Sequence, residues 1–341
     1  MIIIRYCNES DIENLQKFII DVIRDDEYLG HNTEYFRWQY YNEKRHRYNI
    51  IIAVDELNNE IFGMFGFIPI YHYDSKLYPN NDIWGTIWII DENKVQDNGL
   101  GLKIYYKFLN SEKPISYGAI GTSDMGQMIY KAFKYKTSIL NHYYYLNKIN
   151  TLHKVALIVK YHSIKPSIIY DNYSLIEVFK LDNITITECN TNPKKSLEYI
   201  KNRYLLHPVF NYRIFAIAKN NIFTTLLVIK DIEVNGGKCL RIVDMLGKYE
   251  MIKYCNFDSL LAKENAEYID CLNYGIDEEV FNLSGFQKRD NTIIIPEHFD
   301  PFEQKNVDVK FAYYGKKDER YVVFKGDGSL DSPSRFIEEY H

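Results

Sequence analysis

The feature that most constrains this chain is a glycine loop, Gln96-Asp97-Asn98-Gly99-Leu100-Gly101, between an apolar run over residues 83–91 and an amphipathic run over residues 100–109. This order predicts a strand, a tight loop and the start of a helix. Because Gly99 and Gly101 carry no side chain, the backbone can approach a ligand closely. Successive N–H groups at a helix start also present donors to anionic oxygens. The loop therefore predicts a pyrophosphate-binding site.

The hydrophobic spacing around this loop predicts alternating helices and strands. Ahead of the loop it predicts helices at 11–23 and 33–41 and strands at 49–54 and 61–71. Behind the loop it predicts a strand at 114–121, a helix at 125–133 and a β-rich run at 136–148. The first half of the chain is therefore expected to be a mixed α/β domain.

This element order resembles that of the GNAT acyltransferase superfamily, and two motifs carry the resemblance. Gln96-x-x-Gly99-x-Gly101 resembles the superfamily's acyl-CoA pyrophosphate loop, which has Gln or Arg, two residues, Gly, one residue, then Gly or Ala. The run from Met128 to Phe133 resembles the helix that carries a tyrosine beside the thioester sulfur. One departure is Lys134, where the usual pattern has Gly before an aromatic residue. The resemblance implies acyl-CoA as co-substrate, held by Gln96, Asp97, Asn98, Gly99, Leu100, Gly101, Leu102 and Ser123.

Composition excludes several other classes of protein. The net charge of -5 argues against a nucleic-acid surface, which needs basic patches to displace counterions. No apolar run reaches the roughly 18 to 20 residues of a membrane span, and MIIIRYC lacks the features of a signal peptide. We expect a cytoplasmic, monomeric protein. The five cysteines have neither disulfide nor zinc spacing, so we expect buried free thiols and no metal.

An internal repeat suggests that the second half has the same architecture. An aromatic helix end followed by an alternating strand occurs at 36–54 and again at 203–217. Further on, residues 240–246 and 266–272 are predicted to be strands and residues 280–286 a helix that ends in Ser284-Gly285-Phe286. After its strand the second copy has Gly247-Lys248-Tyr249-Glu250, which cannot form the same N–H cradle. One copy is therefore expected to bind the cofactor and the other to be degenerate.

These observations predict an α/β (α+β) protein of two tandem GNAT-like domains, each a mixed, mostly antiparallel sheet flanked by helices. The predicted bounds are 1–150 for an acyl-CoA-binding catalytic domain, 151–193 for a linker region and 194–341 for a degenerate domain that completes the acceptor site. The tail from Ile295 to Pro333 resembles that of bacterial two-domain sugar N-acyltransferases. That resemblance implies that the acceptor is the amine of a dTDP-linked 3-amino-3,6-dideoxyhexose, as in lipopolysaccharide O-antigen biosynthesis.

Acyl transfer from a thioester to an amine requires three kinds of group. A neutral Tyr, with pKa about 10, suits the leaving thiolate, whose parent thiol has pKa about 8.5. The resemblance implies Tyr130 for this role. For the developing oxyanion it implies a backbone N–H near the end of the strand, at Ile89 or Ile90, and one such donor is worth roughly 3 to 4 kcal/mol.

The residue that would accept the amine's proton is not evident. Many GNAT enzymes carry Glu or His on the strand before the pyrophosphate loop, where this chain has Gly85. His72 and Asp82 are candidates for the base, and an ordered water or a side chain from the second domain are alternatives. A surface or hydrogen-bonded structural role is the more usual one for such residues.

For the acceptor, flat aromatic groups and turn carboxylates are the candidates. Aromatic rings stack on sugars or on thymine, and carboxylates accept hydrogen bonds from hydroxyl groups. Core packing is the more usual explanation for each aromatic residue, whereas a solvated turn explains the two carboxylates equally well. The candidate acceptor residues are Trp38, Tyr41, Trp84, Thr86, Asp327 and Asp331.

Two other functions remain open. Aminoacyl transferases that extend peptidoglycan bridges also have two GNAT domains, but they do not keep the CoA loop, and a negative net charge is unfavourable for binding tRNA. A non-catalytic module that binds acyl-CoA or a partner is compatible with an intact loop and a missing strand carboxylate. Binding of CoA and of dTDP distinguishes the three functions.

Overall fold

The computed structural model describes residues 1–95, 99–149, 152–160, 170–182, 184–186, 191–315, 320–329 and 331–335. The chain forms two compact units. Unit 1 contains residues 1–120, 313–316 and 328–341, and unit 2 contains residues 121–312 and 317–327. Gln96, Asp97, Asn98, Cys189 and, within the predicted linker region, residues 161–169 lie outside the described residues.

Among the described residues up to Ile120, unit 1 contains seven strands and four α-helices. The strands are β1 (Ile2–Tyr6), β2 (Tyr41–Asn42), β3 (Arg47–Tyr48), β4 (Ile50–Asp55), β5 (Ile61–Pro69), β6 (Asp82–Ile90) and β7 (Ser116–Ile120). The helices are α1 (Ile12–Val22), α2 (Tyr28–His31), α3 (Thr33–Tyr40) and α4 (Leu100–Glu112).

Five strands of unit 1 lie side by side in the order β1-β4-β5-β6-β7. The first four are antiparallel neighbours, whereas β6 and β7 are parallel. A parallel pair needs a crossover connection, and α4 supplies it here. The face of the sheet that α4 covers is aromatic: Phe65 lies 4.8 Å from Phe108, and Phe67 lies 5.0 Å from it, between ring centroids. We call this the α4 face.

Unit 2 contains the remaining elements. Its helices are α5 (Asp124–Ala132), α6 (Leu197–Ile200), α7 (Asp258–Glu264) and α8 (Glu278–Leu283). Its strands are β8 (Lys136–Ile139), β9 (Asn141–Leu146), β10 (Leu157–Ile158), β11 (Tyr173–Val178), β12 (Thr191–Asn192), β13 (Tyr212–Lys219), β14 (Ile222–Val234), β15 (Gly237–Gly247), β16 (Tyr268–Tyr274), β17 (Gln287–Lys288), β18 (Ile293–Ile294), β19 (Lys310–Tyr314, whose last two residues fall in unit 1), β20 (Arg320–Tyr321) and β21 (Val323–Phe324).

The sheet of unit 2 repeats the connectivity of unit 1. Its order includes β11-β13-β14-β15-β16-β9. Strands β13, β14 and β15 are antiparallel neighbours, and β15 and β16 are parallel, as β4, β5, β6 and β7 are in unit 1. The strands predicted at 240–246 and 266–272 and the helix predicted at 280–286 correspond to β15, β16 and α8. The repeat seen in the sequence is therefore a repeat of strand order.

Two features differ from the sequence-based expectations. The compact units divide the chain after Ile120, not after residue 150, because β9 pairs with β16 in the second sheet. Part of the predicted linker region also belongs to that sheet, where β11 pairs with β13. The run predicted as one β-rich segment at 136–148 forms two strands, β8 and β9.

The free-thiol prediction is confirmed for Cys7, Cys239, Cys255 and Cys271, which are buried and unbridged. Burial raises the pKa of Cys239 and that of Cys255 to about 12. Among the described helices, none combines the length and the apolar character needed to cross a bilayer.

Candidate functional site

The second half of β6 differs from the first half. The parallel ladder joins Asp82–Gly85 to Ser116–Ala119 and extends no further along β6. The residues within the ladder are buried, whereas Thr86, Ile87, Trp88, Ile89 and Ile90 are all half-buried. Four apolar side chains in a row are thus partly exposed on the part of β6 that lies beyond its ladder with β7. We call this stretch, residues 86–90, the open edge of β6.

A β-bulge marks the start of the open edge. Phe67 pairs with Gly85 and Phe65 pairs with Trp88, so β6 has one residue more than β5 between these pairs. At Gly66, a Cβ would lie 2.8 Å from Thr86 Oγ1 and 2.9 Å from Ile87 Cγ2, so glycine is needed to accommodate the bulge. A bulge interrupts the ladder and redirects backbone groups locally.

The direction of the backbone groups along the open edge follows from one hydrogen bond. The N–H of Asp91 donates to the carbonyl of Phe62 on β5 at 3.0 Å. Because successive backbone groups of a strand alternate in direction, the N–H of Ile90 points away from β5 and that of Ile89 points towards it. Of the two oxyanion donors suggested by the sequence, Ile90 therefore faces the open edge, and Ile89 belongs to the ladder with β5.

Helix α4 begins beside the end of β6. Gly99 occupies the N-cap position without a side-chain cap, and the first turn contains no acidic residue. A Cβ added to Gly101 would lie 3.5 Å from Ile90 Cγ1 and 3.5 Å from Trp88 Nε1, which is ordinary contact. Leu100 is buried and Leu102 is 39% exposed. The start of α4 can therefore offer backbone N–H groups and a positive dipole end to an anion.

Gly85 occupies the position of the strand carboxylate that is missing from the sequence. A Cβ at this position would lie 1.9 Å from the hydroxyl oxygen of Tyr117, so the ring of Tyr117 fills the space of a side chain. Tyr117 is fully buried and packs edge-on against Tyr105 of α4 at 5.9 Å. Sequence reasoning missed Tyr117, because only the pairing of β6 with β7 brings it to Gly85.

The two residues suggested as bases have structural partners. Asp82 is 1% exposed, and its carboxylate accepts hydrogen bonds from Ser116 Oγ at 2.6 Å and Asn80 Nδ2 at 2.8 Å. It lies four residues from the bulge, roughly 13 Å along the strand. Half-buried His72 follows β5, and its Nε2 bonds the carbonyl oxygen of Trp38 at 2.8 Å. Both residues are thus anchored near the start of β6, and a role as base stays a prediction.

Tyr130 lies on α5 of unit 2, with 4% of its surface exposed. Its ring stacks on Tyr135 at 5.6 Å, and the N–H of Tyr135 donates to the Tyr130 carbonyl at 2.9 Å. Lys134 has φ +62, the left-handed conformation that favours glycine. The departure from the superfamily pattern at Lys134 therefore keeps the backbone shape that the usual glycine provides. Exposed Ser123 caps this helix by accepting a hydrogen bond from the N–H of Gly126 at 3.1 Å.

Two of the predicted acceptor residues, Trp38 and Tyr41, lie at or just after the end of α3, and two, Trp84 and Thr86, lie on β6. Half-buried Trp38 stacks on Tyr35 at 5.5 Å, and Arg37 lies 4.2 Å above the ring of Tyr41. Trp84 is 2% exposed, which makes it largely a core residue. Thr86 hydrogen-bonds the hydroxyl of Tyr40 at 2.9 Å, and burial raises the pKa of Tyr40 to about 12.

The two tail aspartates belong to different units. Asp327, in unit 2, is fully buried and lies 2.7 Å from Lys195 Nζ. Lys195 Nζ also lies 2.6 Å from Asp244. Burial disfavours the charge of Lys195, but the two carboxylates outweigh this effect and raise its pKa. Asp327 is thus enclosed within an ion network. Asp331, in unit 1, is half-buried on a short segment that follows residue 328.

Comparison with known proteins identifies the architecture. A structure of a GCN5-related N-acetyltransferase from Anabaena variabilis matches with a TM-score of 0.55 and 9% identity, over 92% of this chain and 72% of that one. A structure from Enterococcus faecalis, described as a conserved protein of unknown function and probable N-acyltransferase, matches with a TM-score of 0.52 and 8% identity, over 92% and 72% of the two chains. The chain has the GNAT fold. No family model matches the sequence, and no curated protein does either.

The match confirms the expected mixed α/β class with helices flanking the sheets. One fold can support unrelated activities, so the activity is argued from the open edge of β6 and the start of α4.

Proposed function

We propose that this protein is an acyl-CoA-dependent N-acyltransferase. The observation that carries the proposal is the open edge of β6, which runs directly towards the acid-free start of α4. An extended ligand with amide groups can add to an open strand edge through backbone hydrogen bonds. A pyrophosphate suits a helix start. The pantetheine arm and pyrophosphate of CoA provide these two features in one molecule.

The chemistry follows from the same elements. The acyl carbonyl is assigned to the open edge, where the N–H of Ile90 or another outward-facing backbone donor stabilises the oxyanion that forms as the amine attacks. The predominantly apolar side chains of the open edge line the path of the thioester. For the leaving thiolate, the resemblance to the superfamily supports Tyr130, whose hydroxyl can donate a proton.

We further propose that the acceptor is the amino group of a nucleotide-linked deoxysugar of the dTDP-3-amino-3,6-dideoxyhexose type. This step is supported by the resemblance of the C-terminal sequence to that of sugar N-acyltransferases. The half-buried rings of Trp38 and Tyr41 also suit a sugar or a thymine. The tandem arrangement is supported by the repeated strand order.

Ligand-induced stabilisation tests the proposal. A ligand that binds only the folded state raises the melting temperature according to its concentration and affinity. Stabilisation by both CoA and dTDP, with turnover of the amino sugar, is expected. Stabilisation by CoA alone with no turnover would favour a non-catalytic binding module. No response to either ligand would favour an aminoacyl transferase of the peptidoglycan-bridge type.

A further inference from the structure

In unit 1, a tyrosine at the end of a helix holds the first side chain of the open edge. Tyr40 is the last residue of α3 and is fully buried. Its hydroxyl oxygen lies 2.9 Å from Thr86 Oγ1. Thr86 is half-buried and directly follows Gly85, where the ladder with β7 ends. The open edge of β6 therefore begins with a hydroxyl group that a buried tyrosine fixes in place.

Thr86 lies on the side of the sheet opposite to the α4 face. Phe65 and Phe67 both contact Phe108 on the α4 face, so Gly66 between them belongs to the other side. A Cβ at Gly66 would lie 2.8 Å from Thr86 Oγ1. The Thr86 hydroxyl is thus on the side of α3, whose C-terminal residues are among the candidates for the acceptor site.

Unit 2 repeats this arrangement with a different side chain. Tyr204 precedes Tyr212 by eight residues, as Tyr40 precedes Tyr48. The buried hydroxyl of Tyr204 donates a hydrogen bond to Asp244 Oδ2 at 2.8 Å. This aspartate lies two residues beyond the end of the ladder between β15 and β16, next to a bulge in the pairing of β15 with β14. In each unit, a tyrosine thus holds a side chain just beyond the parallel ladder.

In unit 2, a primary amine is bound to the side chain that the tyrosine holds. Lys195 Nζ lies 2.6 Å from Asp244 Oδ1, and both side chains are buried. The same Nζ lies 2.7 Å from Asp327. Burial disfavours the charge of Lys195, but the two carboxylates outweigh this effect and raise its pKa. Unit 2 therefore holds this amine as an ammonium ion.

Unit 1 has a different residue at the position of that lysine. Lys195 precedes Tyr204 by nine residues, and the residue nine places before Tyr40 is His31. His31 is exposed, and its Nε2 hydrogen-bonds the carbonyl oxygen of Asp25 at 2.6 Å. This position of unit 1 thus offers no lysine amine, and an amine at the equivalent place would be that of a bound molecule.

We infer that the Thr86 hydroxyl binds the attacking primary amine of the acceptor and that Tyr40 is the positioning residue for Thr86, an inference that rests on the proposed function. A phenol is a stronger acid than an alcohol, so Tyr40 donates to Thr86 Oγ1, whose second lone pair accepts from an amine N–H. The nitrogen lone pair attacks the thioester carbonyl carbon, a C–N bond forms and the C–S bond breaks. The sulfur takes up the proton that the nitrogen releases, so CoA leaves as its thiol.

The difference between Thr86 and Asp244 suits this reaction. A carboxylate beside an amine favours the ammonium form, which has no lone pair for attack. A hydroxyl is uncharged, so it binds the neutral amine without favouring the ammonium form to the same extent. The hydrogen bond to Thr86 strengthens as positive charge develops on the nitrogen, which stabilises the transition state more than the ground state.

The first test removes the hydroxyl, with acetyl-CoA and a dTDP-3-amino-3,6-dideoxyhexose as substrates. For Thr86→Val, we expect kcat/KM for the amino sugar to fall roughly 10- to 150-fold, the range for a hydrogen bond to a charged group. Thr86→Ser should recover most of this loss, and Tyr40→Phe should lose less than Thr86→Val because the Thr86 hydroxyl remains. The affinity for CoA in calorimetry should stay unchanged in all three variants.

Thr33→Val is the matched control, because it removes the hydroxyl of an exposed threonine of the same unit. Thr33 is the first residue of α3, and its Oγ1 donates to Gln16 Oε1 at 3.0 Å. It should leave kcat/KM for the amino sugar unchanged.

The second test gives unit 1 the carboxylate of unit 2. In Thr86→Asp, the new charge should raise the pKa of the bound amine, so the pH at which kcat reaches half its maximum should rise by about one to three units. Thr86→Asn, which has the same size without the charge, should leave that pH unchanged. Burial raises the pKa of Tyr40 to about 12, and the other titratable groups that act on it are Tyr73 and Glu27, so Tyr40 stays protonated over this range.

The outcomes separate the role of Thr86 from the proposed function. A kcat/KM for Thr86→Val within about threefold of wild type, or equal pH profiles for Thr86→Asp and Thr86→Asn, would overturn the role of Thr86. If Thr86→Val does not fold, the comparison of Thr86→Asp with Thr86→Asn decides the question. Wild-type protein that binds no CoA, or that binds CoA without acylating the amino sugar, would instead overturn the proposed function.

Discussion

Units 1 and 2 each contain a pair of parallel strands whose ladder ends part-way along the longer strand, but the burial of that strand beyond the ladder differs. In unit 1, the ladder ends at Gly85 and Ala119, and the rest of β6 is half-buried. In unit 2, the ladder ends at Ile242 and Cys271, yet every residue of β15 from Cys239 to Gly247 is buried. The same topology thus leaves one strand edge open and covers the other.

The chain itself covers the second edge. Strand β21 pairs with the end of β16, matching Phe324 with Asn273. The N–H of Gly326 donates to the carbonyl of Val243 on β15 at 2.8 Å. A Cβ at Gly326 would lie 2.6 Å from that carbonyl oxygen, so the approach requires glycine. Backbone groups that diverging strands release must find partners, and in unit 2 the polypeptide supplies them.

The helices that follow β6 and β15 also differ, in their length and in the charge of their first turn. Helix α4 has 13 residues and no acid in its first turn, whereas α7 has 7 residues and begins with Asp258. Asp258 accepts hydrogen bonds from Tyr145 at 2.6 Å and Lys148 at 2.9 Å. An acid in the first turn already interacts with the positive end of the helix and repels a phosphate. Under the proposed function, the open edge and the acid-free helix start occur together in unit 1 and not in unit 2, so we expect CoA to bind to unit 1.

The largest expected effect comes from closing the anion site of unit 1. Gly101→Glu should lower CoA affinity more than about 100-fold while folding persists. The new carboxylate would occupy the space of the pyrophosphate and repel its negative charge. Gly101→Ala is the control, since its Cβ makes only ordinary contacts. Calorimetry should give one CoA per wild-type chain and none for Gly101→Glu. A stoichiometry of two would contradict the difference between the units.

The second prediction concerns the helices α5 and α8. In α8, Phe281 holds the place that Tyr130 has in α5, and the N–H of Phe286 donates to its carbonyl at 3.0 Å. Tyr130→Phe therefore gives α5 the same residue type that α8 has at this position. We expect kcat to fall roughly ten- to a thousand-fold with little change in acyl-CoA affinity or melting temperature. A lower melting temperature with full kcat would show that the hydroxyl is structural.

The third prediction tests the ion network that encloses Asp327. Burial raises the pKa of Asp327 to about 6, above its ordinary value, so the folded protein holds this proton more tightly than the unfolded chain. The stabilising contribution of the protonated carboxyl is full below about pH 4 and is lost as pH rises through about 6. Relative to Asp327→Asn, wild type should lose at most about 3 kcal/mol of unfolding free energy across this window. Denaturant titrations at several pH values measure it, and parallel pH dependences would refute it.

The smallest effect concerns the ends of the same two helices. Lys134 has φ +62, and Gly285 has φ +92 at the matching position of α8. A left-handed conformation costs a non-glycine residue about 1 to 2 kcal/mol of stability. Glycine avoids this cost, but it loses more backbone entropy on folding, which offsets part of the gain. Lys134→Gly should therefore stabilise the protein by about 0.5 to 1 kcal/mol, and Gly285→Ala should destabilise it. Thermal unfolding that moves in the opposite direction for either variant would contradict this account.

The sequence alone determined the elements around the glycine loop and the succession of elements along the chain in the two copies of the repeat. Hydrophobic periodicity and glycine position are local signals, so the strand at 83–91 and the helix from Leu100 were found within one or two residues of β6 and of the start of α4. Glycine position also showed the absence of a second glycine loop, whereas the missing carboxylate at Gly85 was implied by the resemblance to the GNAT superfamily.

Only the tertiary structure decided which residues surround Gly85 and the two aspartates of the tail. That Tyr117 lies against Gly85 depends on the pairing of β6 with β7. That Asp327 is buried beside Lys195, while Asp331 lies on the segment that contacts β6 and α3, depends on the path of the chain after β19. Local sequence patterns record propensity and burial, whereas these arrangements join residues far apart in the chain. For that reason Asp327 and Asp331, which are close in the sequence, have different surroundings.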